Sequence, residues 1–461
     1  MRHAWGFWVA VCLGVGCGAV EEAPGPADTP VSLEERAAPL QETWAAPGAT
    51  RWVRTVRDSV TGLTIAVDRR DNAFVSVSYE SSEVDLGGGA LPGRVGIGLA
   101  KYAPDGRHLW SRGFPMSGDI VPFVRSMAAD SAGNLYIVGE HFDTALSLGG
   151  APLPAGAFVA KYAPDGRHLW SRTWVHAGLS VNPAGLVVDE LSGQVVLAGN
   201  VDVPDDAPSG AIIARMRMAD GAGSFVRGLA FSGRPVVAGL ALDPSGNLAV
   251  VGNYSGTVDL GGGPFSTPLF TTPFVARYSP EVRHLWSRSL DGADGSATGV
   301  AATGTRIVVV GTYSGAFRFR GRSQPADEQD AFLATYEATG EERWVHHFAS
   351  SAAAVGVDNQ NRVVVVGQYR PGDSAGGARL PFLAADEFES NHVFVAKFDR
   401  SSGAHTWSRG LFADLVLRAR GFALTRGGES SLIGNFESQA DFGTGPVTAR
   451  TDSAVILRLG P

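Results

Sequence analysis

The segment AKYAPDGRHLWSR occurs twice in this chain without a single difference, at residues 100–112 and 160–172. Looser relatives of the segment follow, and each copy contains an aromatic residue near its end. These aromatic residues are spaced by 55 positions (170 to 225) to 63 positions (344 to 407). They are Trp52, Trp110, Trp170, Phe225, Trp286, Trp344 and Trp407. Such a period predicts a fold built from copies of one supersecondary unit.

A second motif precedes each copy: an apolar run, a turn with Asp or Gly, and a second apolar run. Examples are MAADSAGNLYIVG (127–139) and LALDPSGNLAVVG (240–252). Each unit therefore reads as four short antiparallel strands. The seventh unit lacks its aromatic strand, whereas TRWVRTV (50–56) precedes the first unit and can supply it. We predict an all-β fold, a seven-bladed β-propeller over 50–461, closed by this N-terminal strand.

The first strand of each unit carries a small residue before its turn. These residues are Thr64, Ser126, Gly185, Gly239, Gly299, Ala354 and Gly421. Blades converge at the axis of a propeller, so the innermost strand has the least room for side chains. This pattern predicts that the first strands line the central channel.

The turns from Asp130 to Asn134 and from Asp243 to Asn247 admit two interpretations. Asp can begin a type I turn that Gly or Asn closes in a left-handed conformation. Alternatively, the turns bind calcium, although each offers fewer oxygen ligands than that ion requires. The turn interpretation is favoured, and Pro-Asp-Gly (104–106 and 164–166) is interpreted in the same way, as the hairpin between strands three and four.

Basic residues recur on the third and fourth strands. Those of the third strand are Lys101, Lys161, Arg215, Arg277, Lys397 and Arg458. Unit five has Thr335 in that place and also lacks the turn Asp, having Thr303, which suggests that the two positions form an ion pair. A ring of cations that binds a ligand is the alternative. On the fourth strand, the aromatic residue and the basic residue two positions later share a face. We expect the aromatic residue to pack between blades and the basic residue to lie at the rim.

His108, His168 and His284 precede Leu-Trp in three units. These histidines could form a shared metal site or have a structural role. Because the histidines would lie about one blade apart on outer strands, they are too distant for common ligation. The structural role is favoured, and no metal or cofactor site is predicted.

The N-terminus carries an apolar run of 13 residues (4–16), too short to span a bilayer and typical of an export signal. The chain has two cysteines, Cys12 and Cys17, both in this region. Cys17 after small residues resembles a bacterial lipoprotein signal, which predicts lipidation of Cys17 after removal of the signal (1–17). Ordinary cleavage nearby, releasing a soluble protein, is the alternative. Residues 18–48 are rich in Ala, Pro and Glu and predict a disordered tether.

The charge and the motifs exclude several functions. A net charge of −8 argues against nucleic-acid binding, which needs a concentrated basic surface. The common sequence motifs of zinc proteases, serine hydrolases, P-loop proteins and dinucleotide-binding proteins do not occur.

The combination of a D-x-x-G-N hairpin with FVAKY-like and LWSR-like strands resembles the bacterial seven-bladed β-propeller (SBBP-type) repeat proteins over residues 50–461. This resemblance implies an exported propeller and no particular chemistry. YEATGEERW (336–344) is also similar to the tryptophan-docking motif of quinoprotein propellers.

Three hypotheses follow for the function. The first is a lipid-anchored binding or scaffold module at the cell envelope, an outer-membrane lipoprotein or else periplasmic or secreted. We expect it to be a monomer with an unknown protein or glycan ligand, without nucleic acid, touching the membrane only through its anchor. The second is an enzyme (a lyase, hydrolase or quinoprotein-like oxidoreductase) with a site at the channel mouth. The third is a structural or adhesive surface protein.

Two observations can discriminate among these hypotheses. Charged side chains converging on the channel mouth would favour the enzyme, and a mouth of Gly, Ala and Ser alone would oppose it. The segments to inspect first are 200–210, 318–330 and 370–392, which vary most between units and connect the second strand to the third.

Overall fold

A computed structural model describes twelve ranges of the chain, which together cover most of residues 46–461. They are 36–37, 46–57, 59–118, 120–143, 145–176, 179–201, 210–230, 234–326, 329–348, 351–381, 392–414 and 416–461. Cys17 and the predicted signal lie outside these residues. All regular secondary structure in the described ranges is β-strand, and no helix there could cross a membrane.

Two strands precede the repeats, β1 (Arg36–Ala37) and β2 (Thr50–Val56). Blade 1 is formed by β3 (Val60–Val67), β4 (Ala73–Tyr79), β5 (Val95–Tyr102) and β6 (His108–Met116). Blade 2 is formed by β7 (Phe123–Ala129), β8 (Leu135–His141), β9 (Gly156–Tyr162) and β10 (His168–His176). Blade 3 is formed by β11 (Leu179–Asp189), β12 (Gln194–Val201), β13 (Gly210–Arg217) and β14 (Gly223–Ala230).

The remaining blades follow the same order. Blade 4 is formed by β15 (Val236–Leu242), β16 (Leu248–Asp259), β17 (Pro264–Tyr278) and β18 (His284–Ser289). Blade 5 is formed by β19 (Ala293–Ala302), β20 (Arg306–Phe319), β22 (Asp330–Glu337) and β23 (Glu342–Phe348), with β21 (Arg322–Pro325) paired to β20. Blade 6 is formed by β24 (Ser351–Val357), β25 (Val363–Tyr369), β26 (His392–Phe398) and β27 (His405–Ala413). Blade 7 is formed by β28 (Val416–Leu424), β29 (Ser430–Asp441), β30 (Pro446–Leu459) and β2.

The blades form a closed ring. Consecutive strands of each blade pair antiparallel, and the first strand of every blade contacts the first strand of the next. The ring closes where β28 of blade 7 contacts β3 of blade 1. The N-terminal β2 pairs with β30, with Val53 opposite Leu457, so the predicted closure by an N-terminal strand is confirmed. The predicted all-β propeller fold is confirmed as well.

Each innermost strand contains a bulge directly before its small residue. In blade 2, for example, the pairing skips Arg125 between Val124 and Ser126. The skipped residues define what we call the bulge ring. Its members are Leu63, Arg125, Ala184, Ala238, Thr298, Ala353 and Arg420. A bulge redirects side chains locally, so these seven residues depart from the regular alternation of their strands, and Leu63 and Ala184 among them pack against the core.

The propeller has two faces, one at each end of its strands. The hairpin face carries the turns between strands one and two and the hairpins between strands three and four. The loop face is the opposite end, where the innermost strands begin and second strands connect to third strands. The bulge ring lies on the loop-face side of the small residues, because each bulge precedes the small residue of its innermost strand.

The hydrophobic core lies between blades. One cluster joins Phe74 and Trp110 of blade 1 to Ile137 and Phe158 of blade 2, all of them buried. Each blade is thus stabilised by burial against its neighbours, and a single blade would leave both faces of its sheet exposed.

Two parts of the segment expected to form the tether are described. Arg36 and Ala37 pair with β2. Residues 46–49 lie at the hairpin face, where Gly48 packs against Trp407 and its carbonyl accepts a hydrogen bond from Arg409. Residues 46–49 therefore occupy the position that the hairpin between strands three and four occupies in the other blades.

Candidate functional site

The aromatic residue of the fourth strand joins its blade to the next one. Trp110 of blade 1 donates its indole N–H to the carbonyl of Pro164 in the blade 2 hairpin, at 2.9 Å. The same ring lies against Gly166, where an added methyl group would come within 2.8 Å of it. Equivalent bonds run from Trp52 to Pro104, Trp170 to Met218, Trp286 to Ala338 and Trp344 to Arg400. The predicted packing between blades is confirmed for these tryptophans, whereas Phe225 of blade 3 is 38% exposed.

In blades 1, 3, 4 and 6, the basic residue of the third strand pairs with the turn Asp of its own blade. Lys101 lies 3.0 Å from Asp68, and both side chains are buried. Burial alone would raise the pKa of Asp68, but hydrogen bonds from Asn72 and Lys101 outweigh it and lower that pKa. Further pairs are Arg215 with Asp189, Arg277 with Asp243 and Lys397 with Asp358. The predicted ion pair is confirmed in these four blades. Lys161 instead donates to the carbonyl of Met218, and Arg458 lies 3.9 Å from Glu429.

The Asp turns are hydrogen-bonded as the turn interpretation requires. Asp130 accepts bonds from the backbone and side-chain nitrogens of Asn134, and Gly133 has a φ of +85°. Within the described ranges, no group of three or more His, Cys, Asp or Glu residues is arranged to hold a metal ion.

The histidines of the fourth strand pack within their own blades. His108 meets the edge of the Tyr102 ring at 5.9 Å between centroids and lies over Gly87 and Gly88, where a side chain would collide with it. His168, His284 and His405 repeat this arrangement over glycine pairs of the loops between strands two and three. The sequence analysis favoured a structural role for these histidines but did not predict their packing over glycine pairs. The recurrence of LGGG at 86–89 and 260–263 was the signal that could have indicated it.

Burial gives these histidines a testable effect on stability. It lowers the pKa of His108, His168, His284 and His405 below the ordinary 6.5, since the charged imidazolium would lose its hydration. The unfolded chain then takes up protons that the folded chain does not. We expect the free energy of unfolding to fall as the pH drops below about 6.5, by at most about 1.4 kcal/mol per pH unit for each histidine.

Urea unfolding at pH 7.5 and at pH 5.5 measures this effect. A His168→Gln variant should show a weaker dependence on pH, whatever its absolute stability. Equal free energies of unfolding at the two pH values in the unmodified protein would contradict the assignment.

Two surface crevices occupy equivalent places between blades. The larger, about 490 Å³, lies between blades 1 and 2 and is lined by Arg112, Tyr162 and His168 among others. The smaller, about 240 Å³, lies between blades 3 and 4. At the boundary of blades 7 and 1, Arg54 instead donates to the Gly106 carbonyl. The same space recurs between neighbouring blades, and the crevices remain where no side chain such as Arg54 fills it.

The channel mouth concentrates charge that the repeat does not explain. Five members of the bulge ring are uncharged, and the other two are Arg125 and Arg420. Arg125 is bound by Glu140, with 3.1 Å between Nε and Oε1, and its guanidinium lies 5.0 Å from the centroid of the Phe123 ring. For Arg420, no hydrogen bond or ion pair is found among the described residues. The two arginines therefore differ in what remains available to a ligand.

Arg418 and Arg420 are both solvent-exposed on β28, which faces the channel. The protein around Arg420 is nevertheless dense enough to lower the pKa of its guanidinium by burial, and the charge of Arg418 lowers it further. The charge of Asp452 acts in the opposite direction. Exposure to solvent together with partial desolvation is the environment expected for a side chain inside a channel.

Two carboxylates lie on the second and third strands of the same blade, further from the axis than these arginines. Glu437 on β29 is opposite Val416, and Asp452 lies on β30 where that strand bulges away from β29. Burial raises the pKa of Glu437, a hydrogen bond with Asp452 and its charge raise it further, and Arg418 opposes them. Glu437 thus lies near Arg418, and Asp452 lies near Arg420.

This cluster was not predicted from sequence. Its residues are separated along the chain and match no motif, and only the strand register brings them together. Of the segments chosen for inspection, 202–209, 327–328 and 382–391 lie outside the described residues. The described part of 318–330 ends β20, forms β21 and begins β22.

No family model matches the chain, and no curated protein is similar to it in sequence. Among solved structures, it is similar to the hydrazine synthase of Kuenenia stuttgartiensis, with 8% identity and a TM-score of 0.47, over 90% of this chain and 98% of that one. The Dos1 propeller has 8% identity and a TM-score of 0.44, over 90% and 94% of the two chains. YCF48 bound to D1 peptide has 11% identity and a TM-score of 0.43, over 91% and 100%. At these scores the propeller fold rests on the strand pairing described above.

Proposed function

We propose that this chain is an exported SBBP-type repeat protein, anchored by a lipid at Cys17, which binds a ligand at the cell envelope through its channel mouth. The observation that carries the proposal is that the repeated cations are bound within the scaffold, whereas two unrepeated arginines are exposed. Four repeated cations of the third strand are engaged by turn carboxylates, and Lys161 and Arg458 are engaged by the Met218 carbonyl and by Glu429, whereas the unrepeated Arg418 and Arg420 on β28 are exposed to solvent.

The entry point of the chain supports this choice of face. Residues 46–49, at the end of the proposed tether, lie at the hairpin face. Attachment there leaves the loop face and the channel mouth unobstructed by the point where the chain enters the propeller.

Capture from an envelope extract tests the binding function. The full chain is used as bait beside an Arg418→Gln/Arg420→Gln variant and an Arg112→Gln/Arg172→Gln variant, which changes exposed arginines of the repeat. A ligand retained by the unmodified chain and the repeat variant, and lost by the channel variant, is expected. Equal retention by all three baits would overturn the channel mouth as the binding site.

Mass spectrometry of the mature N-terminus tests the anchor. The expected peptide begins at Cys17 and carries the mass of a diacylglycerol and an acyl chain. An unmodified peptide that begins beyond Cys17 would refute lipidation and leave the binding proposal standing.

The carboxyl pair favours a second candidate, an enzyme. A carboxyl group such as Glu437, whose pKa is raised by burial and by an adjacent carboxyl group, is typical of acid–base catalysis. If Glu437 acts as an acid or base, Glu437→Gln abolishes turnover of the ligand captured above while leaving its binding within a few-fold. Equal conversion of that ligand by the variant and the unmodified chain would exclude this role of Glu437.

A further inference from the structure

The bulge ring carries a charge pattern that selects the sign of a ligand. Its two charged members are both arginines, and blades 2 and 7, which hold them, flank blade 1. The carboxylates that act on the arginines of this strand region are Glu140 and Glu437 on second strands and Asp452 on a third strand, all further from the axis. A molecule entering the channel therefore meets guanidinium groups before it meets carboxylates.

The two arginines of the ring are not equivalent. Arg125 is held by Glu140 through two of its nitrogens and lies against Phe123. Arg420 has no such partner among the described residues, and its nearest charged neighbour along the strand is another cation, Arg418. Two like charges held side by side in a partly desolvated place are stabilised by an anion between or before them.

We propose that Arg420, supported by Arg418, binds an anionic group of the ligand at the mouth of the channel. This inference rests on the proposed function and assigns the chemical class of the ligand. Carboxylate and phosphate both match the planar fork of a guanidinium, which can donate two parallel hydrogen bonds to either. A carboxylate would come from an acidic glycan or peptide, and a phosphate from a phosphorylated glycan or lipid headgroup.

Calorimetric titration of the full chain with citrate and, separately, with inorganic pyrophosphate tests the assignment at constant ionic strength. We expect one equivalent of one probe to bind, and Arg420→Gln to weaken that binding at least tenfold. Preference for citrate indicates a carboxylate ligand, and preference for pyrophosphate indicates a phosphate ligand. Arg420→Lys, which keeps the charge but loses the fork, should bind with intermediate affinity.

Arg172→Gln is the matched control, because Arg172 is exposed and belongs to the repeat. It should bind the probe as the unmodified chain does. Failure of both probes to bind, or equal loss of affinity in the Arg172 and Arg420 variants, overturns the inference. If neither probe binds while the channel variant still loses the envelope ligand, the binding function stands and only the anionic class is wrong.

Discussion

Replacing Asp358 by Ala is expected to lower the free energy of unfolding by about 3–5 kcal/mol, the usual cost of removing one partner from a buried ion pair. Lys397 lies 3.1 Å from Asp358, and both side chains are completely buried. The substitution would leave the Lys397 ammonium without a counter-charge in the core of blade 6. Urea unfolding followed by tryptophan fluorescence or circular dichroism measures the loss.

An exposed ion pair provides the control. Arg217 and Asp220 are 2.6 Å apart in blade 3, and both side chains remain largely solvent-exposed. Asp220→Ala should leave the unfolding midpoint close to that of the unmodified protein, because water solvates the remaining charge. If Asp358→Ala unfolded at the same urea concentration as Asp220→Ala, the ion pair in blade 6 would not have the stabilising role assigned to it.

Replacing Gly166 by Val is expected to destabilise the protein by about 2–5 kcal/mol, combining left-handed backbone strain with overpacking. Gly166 has a φ of +80°, and its Cα lies against the Trp110 ring. A second substitution, Trp110→Phe, should recover part of the loss, since the smaller ring leaves room for the added side chain.

One blade boundary of the chain already combines a larger hairpin residue with a smaller aromatic residue. In blade 4 the hairpin position is Val282, with a φ of +59°, and the aromatic residue of the preceding blade is Phe225. Five of the other six boundaries combine Trp with a Gly of the hairpin, and the sixth combines Trp407 with Gly48. If Trp110→Phe destabilised the Gly166→Val protein further, the steric explanation of this pairing would be wrong.

The fold was predictable from sequence because its determinants repeat. The spacing of the aromatic residues from Trp52 to Trp407 indicated the repeated unit, and the aromatic strand at 50–56, which precedes the first unit, indicated the closure. The joint loss of the basic residue at Thr335 and of the Asp at Thr303 indicated the ion pair. Repetition turns such local signals into one consistent architecture.

The contacts made by the hairpin carbonyls and the charges at the channel mouth were not predictable. A backbone carbonyl such as that of Pro164 has no sequence signature as an acceptor. Arg420 and Asp452 come together only through the register of three strands and the position of two bulges. Function in a propeller is built from such non-local residues, so periodicity identifies the scaffold and leaves the site to be found by structure.

The proposals for the channel mouth require a ring that is closed by β2, since an open ring has no defined channel. Thr55 lies directly opposite Val455 across the pair of β2 and β30. Cysteines at these two positions should form an intramolecular disulfide in the folded protein, because facing Cβ atoms of paired strands lie within reach of one.

Non-reducing electrophoresis after oxidation measures that crosslink, with a Thr55→Cys/Ser431→Cys protein as the control. Ser431 lies on β29, one strand further in and about 10 Å from β2, which exceeds the span of a disulfide. A crosslink between residues 55 and 455 that raises the thermal midpoint, with none in the control, is the predicted result. Two free thiols at 55 and 455 in the folded protein after oxidation would contradict the closed ring.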